Sequence, residues 1–388
     1  MICKFFAKIP LAWQLLVKEK TRLAVAVAGI TFANILMFAQ MGFEGALFES
    51  AIAPHKSFDT DLVLVSRNFE TIYSIKDFPT ERLYQARGFA GVLEVNPVYI
   101  GLGRWSNPET QGLQTILIMG TDPANKIFRS PQLNRDLNEL QIQNQVLFDK
   151  TALPTNSYIA SLFQNQTTPE TEVNKIKVRI GGYFSLGKSF ATYGNIITSD
   201  STFLRLFASH EPNQIGTGLI KLKTGADIKQ VKNNLKLGLP DDVLILTHDE
   251  YIDMERNYWG KTTPIGFMFG VGVMVSFIVG CVIVYQILYS DISAHLAEYA
   301  MLKAIGYTNN YLLSVLGQEA LLLAVLGYLP GLITALAFYK LAANTTKLPV
   351  FMTIERGASV FVLTVIMCFV SGIFAMQKLR TADPADLM

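Results

Sequence analysis

Three cysteines and four histidines are all that 388 residues contain, and this scarcity removes several kinds of chemistry. Cys281 and Cys368 fall inside long apolar runs and Cys3 sits near the N-terminus, so neither a disulfide framework nor a thiolate metal site can be drawn. His55, His210, His248 and His295 stand singly, without the spacing of a metal site, and each reads as an isolated surface histidine. Charge is sparse as well, at 16% of residues against roughly 25% in an ordinary soluble chain. The formal net charge of +2 is too small to argue for nucleic acid or for any strongly charged partner. No Ser/His/Asp set and no carboxylate pair can be singled out, so nothing requires an enzyme.

What the chain has instead is four apolar runs, at 23–43, 265–289, 312–341 and 357–376. Each meets the length of about 20 residues needed to cross the hydrocarbon core as a helix, the form in which backbone groups bond internally. The expected architecture is a membrane α-helical protein with four transmembrane helices. A large extracytoplasmic α/β domain, 44–264, lies between helices 1 and 2. Lys4, Lys8, Lys18, Lys20 and Arg22 precede the first run, which places the N-terminus in the cytoplasm by the positive-inside rule. Four crossings return the tail, 377–388, to the same side and leave the loop 342–356 outside. A cleaved signal peptide is the rival reading of the N-terminus. The run is long for one and Gln40-Met41-Gly42-Phe43 is a poor cleavage site, so an uncleaved anchor is expected.

The outward segment reads as two β-α-β patterns around an insert. Strand-like 61–66, a short helix 80–87 and β-rich 91–100 make the first. Strand-like 218–223, a helix 227–237 capped by Asp227 and strand-like 243–247 make the second. A split porter-like part, 61–100 and 216–247, is therefore expected to carry a β-rich insert, 101–215. The flanks 44–51 and 248–264 read as helical stalks. Tyr251, Met254, Glu255 and Tyr258 recur at helical spacing, as a face packing on a neighbour would. Tyr258 and Trp259 also suit an aromatic belt at a membrane surface.

Gly182-Tyr-Phe-Ser-Leu-Gly187-Lys188-Ser189 has the spacing of a phosphate-binding loop. Such a loop works between a strand and a helix N-terminus, and the stretch after Ser189 is short and broken by Gly194. A β-turn is the better reading and the match is taken as chance.

The link between the second and third runs, 290–311, carries the most specific signal. Glu298 to Gly306 reads EYAMLKAIG: Glu298, then Met301, Leu302, Lys303, Ala304, Ile305 and Gly306. At this point the chain resembles the permease subunits of MacB/FtsX-class (type VII) ABC transporters, whose coupling segment reads E-x-x-x-L-[RK]-A-I-G. Glu319-Ala320, the basic helix of 1–22 ending in Lys20 and Arg22 before Gly29-Ile30, and Asp383-Pro384 with Leu387 fit the same pattern. The stretch 187–200 is similar to a recurring segment of the DevC-type permeases, which lack a fused ATPase. Ala294-His295-Leu-Ala replaces the basic run often found before the coupling glutamate, which puts its polar contacts in doubt.

The resemblance implies a non-catalytic subunit of a bacterial inner-membrane exporter with its large domain in the periplasm. It implies no cofactor in this chain, with ATP and magnesium bound by a separate ABC ATPase subunit that docks on 298–306. It further implies a second permease copy, a periplasmic membrane-fusion adaptor, a TolC-like outer-membrane channel and membrane lipid as partners, with a glycolipid or other amphiphile as cargo. Movement of the ATPases would be transmitted to the outward domain, which expels the cargo. Gly266 with Gly270, and Gly327 with Gly331, have the spacing of close helix contacts, within one subunit or between two. An FtsX-like regulator of a cell-wall hydrolase and a lipoprotein-releasing permease are the other readings.

Overall fold

The computed structural model describes residues 20–107, 112–152, 169–294, 301, 305, 307 and 309–381. In chain order these form α1 (Lys20–Ser57), β1 (Leu62–Ser66), β2 (Phe78–Pro79), α2 (Thr80–Arg87), β3 (Val92–Ser106) and β4 (Leu113–Thr121). Then come α3 (Pro131–Asp136), β5 (Gln145–Asp149), β6 (Glu170–Val173), β7 (Ile176–Phe184), β8 (Asn195–Ser199) and α4 (Asp200–Leu206). Beyond these lie β9 (Gln214–Ile215), β10 (Thr217–Leu222), α5 (Ile228–Gly238), β11 (Val243–Thr247) and α6 (His248–Asn257). A π-helical turn (Tyr258–Thr262) leads to α7 (Pro264–Ala294), α8 (Asn309–Thr346) and α9 (Ile354–Thr381). The chain divides into two compact units. One comprises Ala46–Pro264 with Lys347–Pro349; the other comprises the remainder.

The helical unit contains the apolar runs. Lys20–Ser57, Pro264–Ala294, Gly317–Thr346 and Ile354–Met376 are long and apolar enough to cross a membrane. Ile30, Val284, Leu323 and Met367 are among the buried side chains that bring the four helices together. Close approach is possible where α8 carries glycine. A Cβ on Gly327 would stand 2.5 Å from the Ile30 side chain, and one on Gly331 would stand 2.9 Å from Cβ of Asn34. Polar side chains close the same seam: Thr31 Oγ1 donates to the Gly327 carbonyl at 3.1 Å and Thr364 Oγ1 to Asn34 Oδ1 at 2.6 Å. Glu319, one of the residues that carry the family resemblance, is buried in this unit.

The sheet unit is built on period-two strands buried on both faces. Along β1, Leu62 and Leu64 point to one core, and Val63 and Val65 to the other. Strands from the two ends of the segment interleave in the antiparallel order β11-β1-β10-β3. This is the arrangement of two β-α-β units sharing one sheet. Leu83 and Ala86 of α2 and Val231 and Leu235 of α5 cover one face. Asp227 caps α5 by accepting from the amides of Lys229 and Gln230.

The remaining strands are joined to this sheet, where a separate inserted module was expected. β3 crosses the expected boundary at 100/101. Its first half pairs with β10 and its second half with β4, from Tyr99↔Gly120 to Ser106↔Leu113. The order continues β4-β8-β5-β7-β6, and β6 returns to β3 through Trp105↔Val173 and Ser106↔Glu172. Six strands thus close into a ring, which removes the free edges an open sheet would expose. Trp105, fully buried, packs within it against Phe148 with ring centroids 5.1 Å apart, and donates through Nε1 to Thr171 Oγ1 at 2.7 Å.

Replacing Trp105 with alanine should destabilise the sheet unit by about 3–5 kcal/mol, whereas Asp227→Ala should cost about 1 kcal/mol. Denaturant unfolding of the full chain in detergent, monitored by near-ultraviolet circular dichroism, should rank them in that order.

Candidate functional site

Where the sheet unit meets its two chain crossings, four segments converge on one buried carboxylate. Glu255 on α6 has no exposed surface. Its Oε1 accepts from Thr71 Oγ1 and from the Trp259 indole N–H, both at 2.6 Å; Oε2 accepts from the Ile72 amide at 2.9 Å. His55, near the end of α1 and equally buried, places Nε2 3.3 Å from Oε2. The crossing that leaves α1 and the crossing that enters α7 are therefore held together through one side chain.

Further contacts lock the pair. The His55 ring lies 4.3 Å from that of Tyr251, whose hydroxyl meets Thr217 Oγ1 at 3.2 Å. His248 Nε2 lies 2.9 Å from the His55 carbonyl oxygen, and its Nδ1 lies 2.8 Å from a terminal guanidinium nitrogen of Arg129. Arg129 also donates through Nε to the Phe58 carbonyl at 3.1 Å. α6 begins here because Thr247 and Glu250 form a reciprocal capping box. After Asn257 the chain widens into the π turn, where the Thr263 amide bonds the Tyr258 carbonyl at 3.1 Å, and Pro264 opens α7. Trp259, which from sequence suited an aromatic belt, packs within the sheet unit. Its ring stands edge-on to Phe190, with centroids 4.5 Å apart.

Electrostatics reflect this geometry. Burial alone would raise the Glu255 pKa. The neighbouring His55 and the bonds from His55, Thr71 and Ile72 outweigh it and hold the carboxyl below its ordinary value. For His248, burial is the largest influence and lowers the pKa. Its bond to the His55 carbonyl opposes this, while Arg129 adds to it.

Two histidines expected at the surface are thus interior residues. His55 and His248 are buried, and His210 Nε2 stands 3.5 Å from Asp77. His295 lies outside the described residues. No sequence signal pairs His55 with Glu255, because their contact joins positions 55 and 255. The apolar face around Tyr251 and Met254 was the one visible hint.

Of the coupling residues, Glu298, Leu302, Lys303, Ala304 and Gly306 lie outside the described residues. Met301 and Ile305 are 62% and 70% exposed, and the Ile305 amide bonds the Met301 carbonyl at 3.0 Å, one helical turn apart. Gly327 and Gly331 face α1 of the same chain; a Cβ on Gly270 would meet nothing within 4 Å, and Gly266 is half-buried. Around Gly187, Lys188 and Ser189 the chain bends back into β8 instead of opening a helix. The amides of Leu186 and Gly187 point to the buried Asp149 carboxylate, at 3.4 and 3.1 Å, and Asn195 Nδ2 donates to it at 2.8 Å. A carboxylate therefore occupies the place a phosphate would need. Gly182 lies within β7. No group of His, Cys, Asp and Glu that could hold a metal occurs among the described residues.

Comparison with known proteins gives one family match over part of the chain and two low-identity structural likenesses. Residues 269–384 match the family described as FtsX-like permease C-terminal, a stretch that takes in most of α7, the coupling segment, α8 and α9. The periplasmic region of MacB from Actinobacillus actinomycetemcomitans is similar over 50% of this chain and 91% of that one, at 14% identity and TM-score 0.33. The extracellular domain of the noncanonic ABC-type transporter YknZ from Gram-positive bacteria is similar over 48% and 98%, at 13% identity and TM-score 0.32. No curated protein matches the sequence.

Removing the central carboxylate by Glu255→Ala leaves three buried donors and His55 without their acceptor, and should cost about 3–5 kcal/mol. Both titrations act in the same direction. Because the folded Glu255 pKa is depressed, its contribution is complete above the ordinary carboxylate pKa and is lost as pH falls through the folded value. His248 is also depressed, so stability begins to fall as pH drops below about 6.5. The unfolding midpoint should decrease between pH 7 and pH 5, and His248→Gln should flatten that part of the profile.

Proposed function

We propose that this chain is the membrane-spanning permease subunit of an ATP-driven ABC exporter and works by transmitting movement, with no catalytic step of its own. The match of residues 269–384 to the FtsX-like permease C-terminal family carries the reading. It is supported by four span-length helices with the α/β unit between the first and second in sequence. The convergence of both crossings on Glu255 adds a means of passing displacement into that unit without slack.

In this reading a separate ABC ATPase binds and hydrolyses ATP, and docks on the segment from Glu298 to Gly306. Met301 and Ile305 are exposed there, as a docking surface requires. Both termini are cytoplasmic and the α/β unit is periplasmic, in a bacterial inner membrane. The unit expels an amphiphilic cargo through an adaptor and a TolC-like channel, and two permease copies work together. Gly270 marks the face where a second copy would approach, since a larger side chain there has space within this chain.

Charge reversal at the coupling segment, Glu298→Lys with Lys303→Glu, should abolish co-purification of the ATPase while membrane insertion persists. Undiminished ATPase recovery and export would remove the docking assignment. Gly270→Leu should leave the chain folded and lower the dimer fraction in cross-linking at least severalfold. A glycine pair at Glu49-Ser50, which disfavours helix by roughly 1 kcal/mol per residue, should reduce export while ATP hydrolysis continues.

A further inference from the structure

A cavity of about 510 Å³ opens in the sheet unit beside the end of α1. Its wall carries four cations, Lys56, Arg129, Lys188 and Lys347, and one carboxylate, Glu49. That carboxylate is already committed, because it lies 2.5 Å from Lys56 Nζ and 3.6 Å from a guanidinium nitrogen of Arg256. Among the described residues no carboxylate pairs with Arg129, Lys188 or Lys347 at salt-bridge distance. Lys188 rests instead over the Tyr193 ring, with Nζ 4.3 Å from its centroid. Asp149, behind Gly187, is occupied by donors from Thr151, Leu186, Gly187 and Asn195. The cavity thus presents an excess of positive charge that nothing in its own wall balances.

Between the charged groups the lining mixes serines, Ser50, Ser57, Ser130 and Ser185, with apolar side chains. Leu133, Leu186, Leu348 and Pro349 face the same space. Lys347–Pro349 belongs to the short connection between α8 and α9, so residues of the wall adjoin, along the chain, the ends of two span-length helices. Lys347 itself has φ of +60°, a left-handed conformation at the end of a helix that glycine or asparagine ordinarily occupies. A lysine is held there at a conformational disadvantage, as part of the cavity wall.

We propose that this cavity binds the anionic headgroup of a membrane amphiphile, a phosphate ester whose acyl chains remain outside it. Its volume accommodates a headgroup and falls short of a whole diacyl lipid. Arg129 already bonds Phe58 and His248 through two of its nitrogens and adds positive charge to the wall, while the lysines supply point charges suited to phosphate oxygens. The apolar part of the lining favours the first carbons of an esterified ligand over a free ion. This deepens the export role by assigning a cargo class and rests on that role only for the transport step. Binding is measured on this chain without any ATPase, so a negative result would leave the permease assignment standing.

The test is isothermal titration of the full chain in neutral detergent with dihexanoyl phosphatidic acid, dihexanoyl phosphatidylcholine and inorganic phosphate. Phosphatidic acid should bind at least tenfold more tightly than either of the others. Lys188→Gln combined with Lys347→Gly should weaken it at least tenfold. Glycine suits the positive φ at 347, so a loss there reports charge and not misfolding. Equal affinity for phosphatidylcholine would overturn the anionic headgroup. Equal affinity for inorganic phosphate would overturn the amphiphile, and an unchanged double variant would overturn the site.

Discussion

A carboxylate taken wholly out of water destabilises a fold unless its lone pairs are met and a countercharge stands beside it. Glu255, carried on α6, meets this with partners from three other places: the end of α1, the segment at Thr71 and Ile72, and the π turn at Trp259. None of these is a neighbour of all the others in sequence. The carboxylate therefore fixes where the chain enters and leaves the sheet unit. The sheet behind it inherits its anchorage, since β1 begins five residues after Ser57 and β11 ends where α6 starts.

Much of the sheet unit was legible because its strands and helices obey local rules. Period-two runs located β1, β10 and β11, and Asp227 announced α5 through its cap. The ring was not legible. Its closure depends on Trp105 meeting Val173 and on β3 being long enough to pair with β10 along one half and with β4 and β6 along the other, and no local pattern encodes a pairing across nearly seventy positions. The same limit hid the burial of His55 and His248. A histidine carries no periodic signature, and only the approach of Glu255 and Arg129 shows what each is for.

The glycines show both outcomes within one motif type. Spacing alone marked 327 and 331, and 266 and 270, as places of close approach. Gly327 and Gly331 meet Ile30 and Asn34 of their own chain, whereas Gly270 faces open space. Spacing reports that a backbone can be approached and says nothing of what approaches it. The coupling motif is different in kind, since its reading rests on residue identities in order; Met301 and Ile305 contribute its exposed apolar surface.

The way β1 and β11 lie together has a consequence for how the sheet unit bears load. They are adjacent and antiparallel, and Leu62, the first residue of β1, pairs with Thr247, the last of β11. Both crossings thus attach at the same end of one hydrogen-bonded ladder. A pull shared by both draws the two strands along together and puts no shear on the bonds between them. A pull on one alone sets the strands sliding against each other and loads every rung of that ladder at once. The attachment consequently resists slip between the two strands.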